Sequence, residues 1–490
     1  MNFPGVVRSA GKKLGRVLLV AASAFAFAAA AGAAPLTFTV NSPADALDFN
    51  PGNGICETVA GNGVCTLRAA VIEANAHAGA DTIVLQANVT YLLTRVGEDD
   101  TALNGDLDVL DSVTIIGAGP TSVIDGNGAA VVDRVFFFAQ CIGGVSTVNG
   151  TCPNGDVVAT MSGVTIQHGY AANNGGGILN GADLLLQNCT VTANTVNGLN
   201  DWGGGIFSYG TLTLAGTVVS NNVSGGHNAY GGGIYVQGSM TIDSSTISGN
   251  VTSGPLGLGG GIQISSSLNG KQLITNSTIS GNSATTGGGI YTTSNSLTLV
   301  NTTISSNGST GDGGGVYSKY GPIGLYNATV VNNTANSDEI KPDGIGAGVY
   351  NAAGATMYLA NSIIAGNVVL VATDMKPIRD PDQCFGSFSS LGHNLLSDID
   401  LDHCSMGGGY ALATLSLGPL QSNGGPTKTH ALLPGSAAID AGNMAGCVDG
   451  DAMPIATDQR GERRSYGPYC DVGAFEASDA IFFNRFEIGV

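Results

Sequence analysis

Charge is scarce in this chain. Of its 490 residues only 11% are Asp, Glu, Lys or Arg, too few for the Lys- and Glu-rich outer faces of ordinary helices, so helical domains cannot make up much of it. Basic charge is scarcer still. No arginine stands between Arg134 and Arg379, and the lysines of residues 158–370 are Lys271, Lys319 and Lys341, each isolated. Elimination from an acidic sugar needs a cation to neutralise the substrate carboxylate and a base, usually Arg or Lys, to take the α-proton. That stretch supplies no such cluster. Setting aside the four basic residues of the first 33 leaves 13 basic against 36 acidic, a net charge of −23, which argues against a nucleic-acid partner. Beyond residue 33 no apolar run is long enough to span a bilayer. The hydrophobic fraction of 43% nevertheless argues against disorder, despite 76 glycines.

What is present is repetition. Gly-Gly-Gly-Ile occurs at Gly175 to Ile178 and returns at Gly203, Gly231, Gly259 and Gly287 in steps of 28 residues, with variants from Gly313 and Gly346. A period of this size signals stacked supersecondary units. A second landmark is an asparagine column, Asn194, Asn222, Asn250, Asn282, Asn307, Asn333 and Asn367. Three residues before each Asn is an aliphatic residue, from Val191 to Ile364, expected to point inward. Two residues earlier, on the same face by strand alternation, lies a small residue: Cys189, Thr217, Ser245, Ser277, Thr302, Ala328 and Ser362. Between them the column Thr190, Val218, Thr246, Thr278, Thr303, Thr329 and Ile363 is expected to face outward. Short strands separated by Gly and Asn turns, stacked at about 4.8 Å, predict an all-β, right-handed parallel β-helix. The Asn column is expected to hydrogen-bond along the stack as a ladder, and the glycines to supply positive φ at corners.

Residues 1–33 have the form of a secretory signal peptide: Arg8, Lys12, Lys13 and Arg16 precede an apolar run ending in Ala31-Gly32-Ala33. The remaining divisions expected are an N-terminal cap with first coils at 34–157, repeats at 158–370, a C-terminal cap at 371–476 and a tail at 477–490. The nine cysteines fit an oxidising compartment. Sequence neighbours Cys56 with Cys65, Cys141 with Cys152, Cys384 with Cys404 and Cys447 with Cys470 close the shortest loops, though spacing alone does not prove connectivity. Cys189 is left over, in the inward small-residue column, where a thiol acts as a small hydrophobe.

Leu67, Ala70, Val71 and Ala74 fall at helical spacing after Thr66, a plausible N-cap, so one amphipathic helix is expected to cover the open end of the solenoid. This stretch, Cys65-Thr-Leu-Arg-Ala-Ala-Val-Ile-Glu-Ala-Asn75, resembles the CSLREA region of exported bacterial β-helix proteins, with Ala69 where that motif has Glu. Gly105-Asp-Leu-Asp108, Val113-Thr-Ile-Ile-Gly117, Val123-Ile-Asp-Gly126 and Asp133-Arg-Val-Phe136 resemble early coils of the pectate-lyase-like superfamily. The repeats are similar to those of polymorphic outer-membrane proteins. Gly418 to Pro426, Thr429 to Gly435, Ala438-Ile-Asp-Ala-Gly442, Asp458-Gln-Arg-Gly461 and Cys470 to Glu476 resemble the choice-of-anchor Q region. The tail Ala480 to Glu487 is similar to a short motif on other exported proteins. Residues 371–490 show no series of alternating strands about ten residues long, so an autotransporter barrel is not expected within them.

Chemistry is thin. Hydrolysis would need carboxylates about 5 to 10 Å apart, yet Asp183, Asp201, Asp243 and Asp312 fall at different offsets in their repeats. Glu98, Asp99, Asp100, Asp106, Asp108 and Asp111 could ligate Ca²⁺ but read better as a solvated loop. Asp398, Asp400 and Asp402 copy half an EF-hand loop, with His403 in place of its Gly. Asp440, Asp458, Arg460, Asp471 and Glu476 are expected to pair and fix turns. The expectation is therefore a secreted or cell-surface scaffold, adhesin-like, monomeric, with no catalytic, cofactor or metal residues, binding glycans or matrix through its outer Thr, Ser and Asn columns. The alternative is a polysaccharide lyase or glycoside hydrolase with a site in the terminal cap.

Overall fold

The computed structural model describes residues 34–97, 99–142, 145–146, 156–265, 270–294, 296–338, 344–371, 378–398, 403–444, 446–464 and 469–478. Residues 1–33, expected from the sequence to be a signal peptide, lie outside them, as do Glu98, Cys152, Asp400, Asp402 and the tail from residue 479.

Each coil lays one short strand on each of several faces, and each strand pairs in parallel with its copy one coil away. Val191 registers on Val219, Val219 on Ile247 and Ile247 on Ile279. Around the coil, Ile178, Ile206, Ile234, Ile262 and Ile290 stack likewise. All of these side chains are fully buried, each worth about 1.5 to 3 kcal/mol relative to exposure. The result is a parallel β-helix with one continuous apolar core running from Phe38 to Leu396 and Cys404.

Three columns of left-handed residues make the corners. One runs Asn188, Gly216, Ser244, Asn276, Asn301, Asn327 and Asn361; another runs His168, Ala193, Asn221, Gly249, Gly281, Ser306, Asn332 and Gly366; the third is the first Gly of each Gly-Gly-Gly triplet, at φ 63 to 70°. The remaining two glycines of each triplet do not have positive φ, which corrects the expectation. They are needed for close approach: a Cβ at Gly204 would lie 2.4 Å from the Gly232 carbonyl oxygen, and one at Gly205 would lie 2.8 Å from Asn222 Nδ2. The ladder asparagines likewise sit one residue after a left-handed corner, not in it.

The helix Leu67–Ala76 is capped by Thr66, whose Oγ1 accepts from the Ala69 N–H at 3.1 Å. It is not amphipathic in place. Leu67 through Ala74 are all buried, because residues 45–57 wrap its outer side: Glu73 accepts N–H groups of Gly52 and Gly54, and Arg68 is held by Asp45.

Past residue 370 the stacking continues. Cys384–Gly392 pairs in parallel with Val349–Asn351 and Thr356–Ala360, and Tyr410–Leu412 with Asn394–Leu396. After the antiparallel hairpin Leu417–Gln421 with Thr429–Leu432, the chain turns back along the flank of the helix. This overturns part of the outward column. Thr190, Val218 and Thr246 remain partly exposed, but Thr278, Thr303, Thr329 and Ile363 are buried. Thr278 Oγ1 donates to the Lys428 carbonyl at 2.6 Å, Thr303 Oγ1 to Gln459 Oε1 at 2.6 Å, and Thr329 Oγ1 accepts from the Ala474 N–H at 3.0 Å. Ile363 packs with Val472 and Phe475 in a second apolar cluster. Disulfides join Cys56 to Cys65, Cys384 to Cys404 and Cys447 to Cys470. The proposed partner of Cys141, Cys152, is outside the described residues. Among the described residues no helix is long and apolar enough to cross a membrane.

Candidate functional site

The asparagine ladder is a closed system. Each Oδ1 from Asn222 to Asn367 accepts both the backbone N–H and the Nδ2 of the preceding Asn, at 2.9 to 3.0 Å. The other Nδ2 hydrogen goes to the carbonyl of the inward aliphatic one coil back, as from Asn222 to Val191 at 3.0 Å. Four hydrogen-bonding positions are thereby used on a buried amide, which leaves no atom for a ligand. The stack ends on Gln383, whose Oε1 accepts from the N–H and Nδ2 of Asn367 at 3.1 and 3.0 Å. Its irregular spacing, 16 residues after Asn367, hid it in the sequence.

The inward small residues are also more than small. Thr217 Oγ1 accepts the Cys189 N–H, Ser245 Oγ that of Thr217 and Ser277 Oγ that of Ser245, at 3.3, 3.0 and 3.1 Å. Cys189 is buried and unbridged, and burial pushes its thiol up from the ordinary range, which disfavours the reactive thiolate.

Two charged knots flank the repeats. At the N-terminal one, Asp106, Asp108 and Asp111 are buried rather than solvated, because this segment is covered by the wrapped helix and its loop. Asp106 meets Arg134 at 3.2 Å, Asp133 accepts the Asp106 N–H at 3.1 Å, and Asp108 accepts the Ala102 N–H at 2.7 Å. Burial pushes the carboxyls of Asp106 and Asp108 upward, opposed at Asp106 by Arg134 and reinforced at Asp108 by Asp106. Among the described residues no group of three or more His, Cys, Asp or Glu side chains could hold a metal ion.

At the C-terminal knot, the residues scattered through the choice-of-anchor Q-like motifs come together. Arg460 meets Asp458 at 2.7 Å and lies 3.6 Å from the Phe475 ring centre. Arg464 meets Glu476 at 3.4 Å, donates to the carbonyls of Gly473 and Asp471, and reaches Asn301 Oδ1 across the flank at 2.8 Å. Asp471 accepts N–H groups of Asp440 and Ala477 at 2.7 and 2.6 Å, and Asp458 those of Arg460 and Glu476 at 2.8 and 2.9 Å. Burial raises the carboxyl of Asp471 to about 6 and that of Glu476 to about 7, and lowers the pKa of Arg464. These carboxylates are perturbed as catalytic acids often are, but both Asp471 oxygens and Glu476 Oε2 accept backbone N–H groups and the side chains are buried. The arrangement fastens the flanking segment to the helix.

The openings among the described residues include two that hold titratable side chains beside aromatic rings. In one, of about 750 Å³, His168 Nδ1 lies 2.8 Å from Asp125 Oδ2, with Tyr170 and Asn127 alongside. The positive φ of His168 belongs to the corner column and is not a local distortion. The other is a crevice between the strands Gln272–Thr275, Leu297–Val300 and Pro322–Tyr326 and the loop of residues 446–457 that the Cys447–Cys470 bridge holds over them. It has a chamber of about 400 Å³ lined by Lys271, Thr298, Tyr326, Asp449 and Asp451, and a smaller one of about 220 Å³ lined by Asn361 and His393. Both chambers share Tyr326, Asp449 and Gly450.

Residues 204–377 match the family described as right handed beta helix region. That match covers the central coils and gives the helix its hand. Among solved structures the chain is similar to pectate lyase Pel9A, at 13% identity over 91% of this chain and 98% of that one, with a TM-score of 0.36. No curated protein matches the chain.

Proposed function

We propose that this chain is an exported, surface-exposed β-helix scaffold that binds extracellular glycans or matrix and performs no reaction on them. One observation carries the reading: the perturbed carboxylates Asp471 and Glu476 are sealed inside a structural knot, whereas the crevice beside them is open and lined by polar groups. Export is supported by the signal-like first 33 residues and by three disulfides, which persist in oxidising compartments. The contact surface is the crevice together with the threonine column up to Thr246, since the rest of that column is covered.

Incubating the purified mature chain with acidic and neutral polysaccharides, with and without Ca²⁺, should release neither unsaturated nor reducing ends, while immobilised glycan or matrix should retain the chain. Turnover, or no retention on any such surface, would reject the reading. The second reading, a polysaccharide lyase or hydrolase, rests on the His168–Asp125 pair in its open groove, where Asp125 would orient the ring for general-base work. Activity lost in His168→Ala would favour it.

A further inference from the structure

Resting on that binding reading, we infer that the crevice under the 446–457 loop is a site for a neutral, hydroxyl-rich oligosaccharide. Its far chamber is lined by Asn361, which is only 4% exposed. The Nδ2 of Asn361 is spent on Asn327 Oδ1 at 2.8 Å and the Asp471 carbonyl at 2.9 Å, while its Oδ1 has no partner among the described residues. That oxygen is sealed against Gly442 and is not presented to the chamber, so the Asn361 end is polar but closed and a ligand's donors must meet the loop. Asp449 and Asp451 add acceptors from the loop; Asp449 Oδ1 already takes the N–H groups of Asp451 and Met453. Between these polar ends Tyr326 packs with Val300, Ala360 and Ile455 as an apolar wall.

An apolar wall with a few fixed acceptors is how a site holds a sugar, whose ring presents C–H groups on its face and hydroxyl donors on its rim. Two carboxylates against the single cation Lys271, on a chain of net charge −23 without its first 33 residues, repel an acidic glycan. The crevice follows the helix axis, because its floor residues Leu273, Thr298 and Tyr326 come from successive coils. Two steps of about 4.8 Å make this floor about 10 Å long, room for about two sugar rings of an oligosaccharide.

Gly450 gives a direct test. It lines both chambers, and a Cβ there would lie 3.0 Å from Tyr326 Cε2 and 3.3 Å from Thr298 Cγ2, so Gly450→Val should fill the crevice beside Tyr326 and make that ring and the loop give way. Calorimetric titration of the mature chain with cello-, xylo- and malto-hexaose and with hexagalacturonate should show one neutral hexaose bound and hexagalacturonate not. Gly450→Val should weaken that binding at least about tenfold and Asp451→Asn several-fold, the latter with unchanged thermal unfolding. If Gly450→Val unfolds, Asp451→Asn decides alone. Preference for hexagalacturonate, no neutral hexaose bound, or neutral binding insensitive to the variants would overturn the site. Retention of the wild type on immobilised glycan or matrix in any of those cases would leave the scaffold reading standing, and its loss would remove both.

Discussion

Along the ladder from Asn194 to Asn367 each buried amide is answered by its own copy one coil away, whereas the buried knots at both ends of the chain are built from charges: Arg68, Asp106, Asp108 and Asp133 on one side, Asp458, Arg464, Asp471 and Glu476 on the other. The repeats can be neutral because a column of identical groups satisfies itself at fixed spacing. Unique segments have no copies. They must anchor irregular backbone with guanidinium and carboxylate groups, which reach several carbonyl or N–H partners at once.

The sharpest way to break this contrast is Arg464→Met. Removing one partner of a buried pair should cost about 3 to 5 kcal/mol, and the loss should be confined to the flank: protease should cut within 427–477 while hydrogen exchange keeps the coils protected. Unfolding of the whole stack in one step would show that the two regions are not separate. Acidity should sharpen it next. Asp471 and Glu476 have folded pKa values raised to about 6 and 7, so the folded state holds the extra protons. The stability they contribute is present below about pH 4 and is lost as pH rises through 6 to 7, by something on the order of 3 kcal/mol for each group. Glu476→Gln should flatten this dependence in thermal melts, and a melt insensitive to pH in both proteins would contradict the charged-knot account.

Within the coils the effects should be smaller and pH-independent. Asn250→Ala strands the N–H and Nδ2 of Asn222, and should cost about 2 kcal/mol in denaturant melts. A cost near zero would mean the ladder is ornamental to stability. Ile247→Val should cost about 1 kcal/mol, equally at pH 4 and pH 8. Cys189→Ser, which puts a hydroxyl where the next coils have Thr217 and Ser245, should change stability by less than about 1 kcal/mol.

The repeat columns were readable because each residue type recurs where one physical demand recurs: Ile and Val for the core, Gly for corners and close approach, Asn for the stack. The same reading misjudged the triplet glycines, since sequence cannot tell a positive φ from a backbone contact. It also placed Thr278, Thr303 and Thr329 on an open face. Nothing in those threonines signals a cover, because the residues that bury them, Lys428, Gln459 and Ala474, are distant in the chain and were read as part of an end cap. Asp106 and Asp108 looked solvated for a similar reason: the helix and loop that bury them come from 45–76.

The sequence by itself determined the coil, its period and its inward columns, because a stack repeats its local requirements in every unit. Only the tertiary structure decided where the C-terminal segment lies, which threonines stay exposed, that the scattered acids of residues 458–476 close into a knot, and that a crevice opens beside Tyr326. Those features join residues more than a hundred positions apart that have no repeating partner, and a one-dimensional pattern carries no trace of a contact made once.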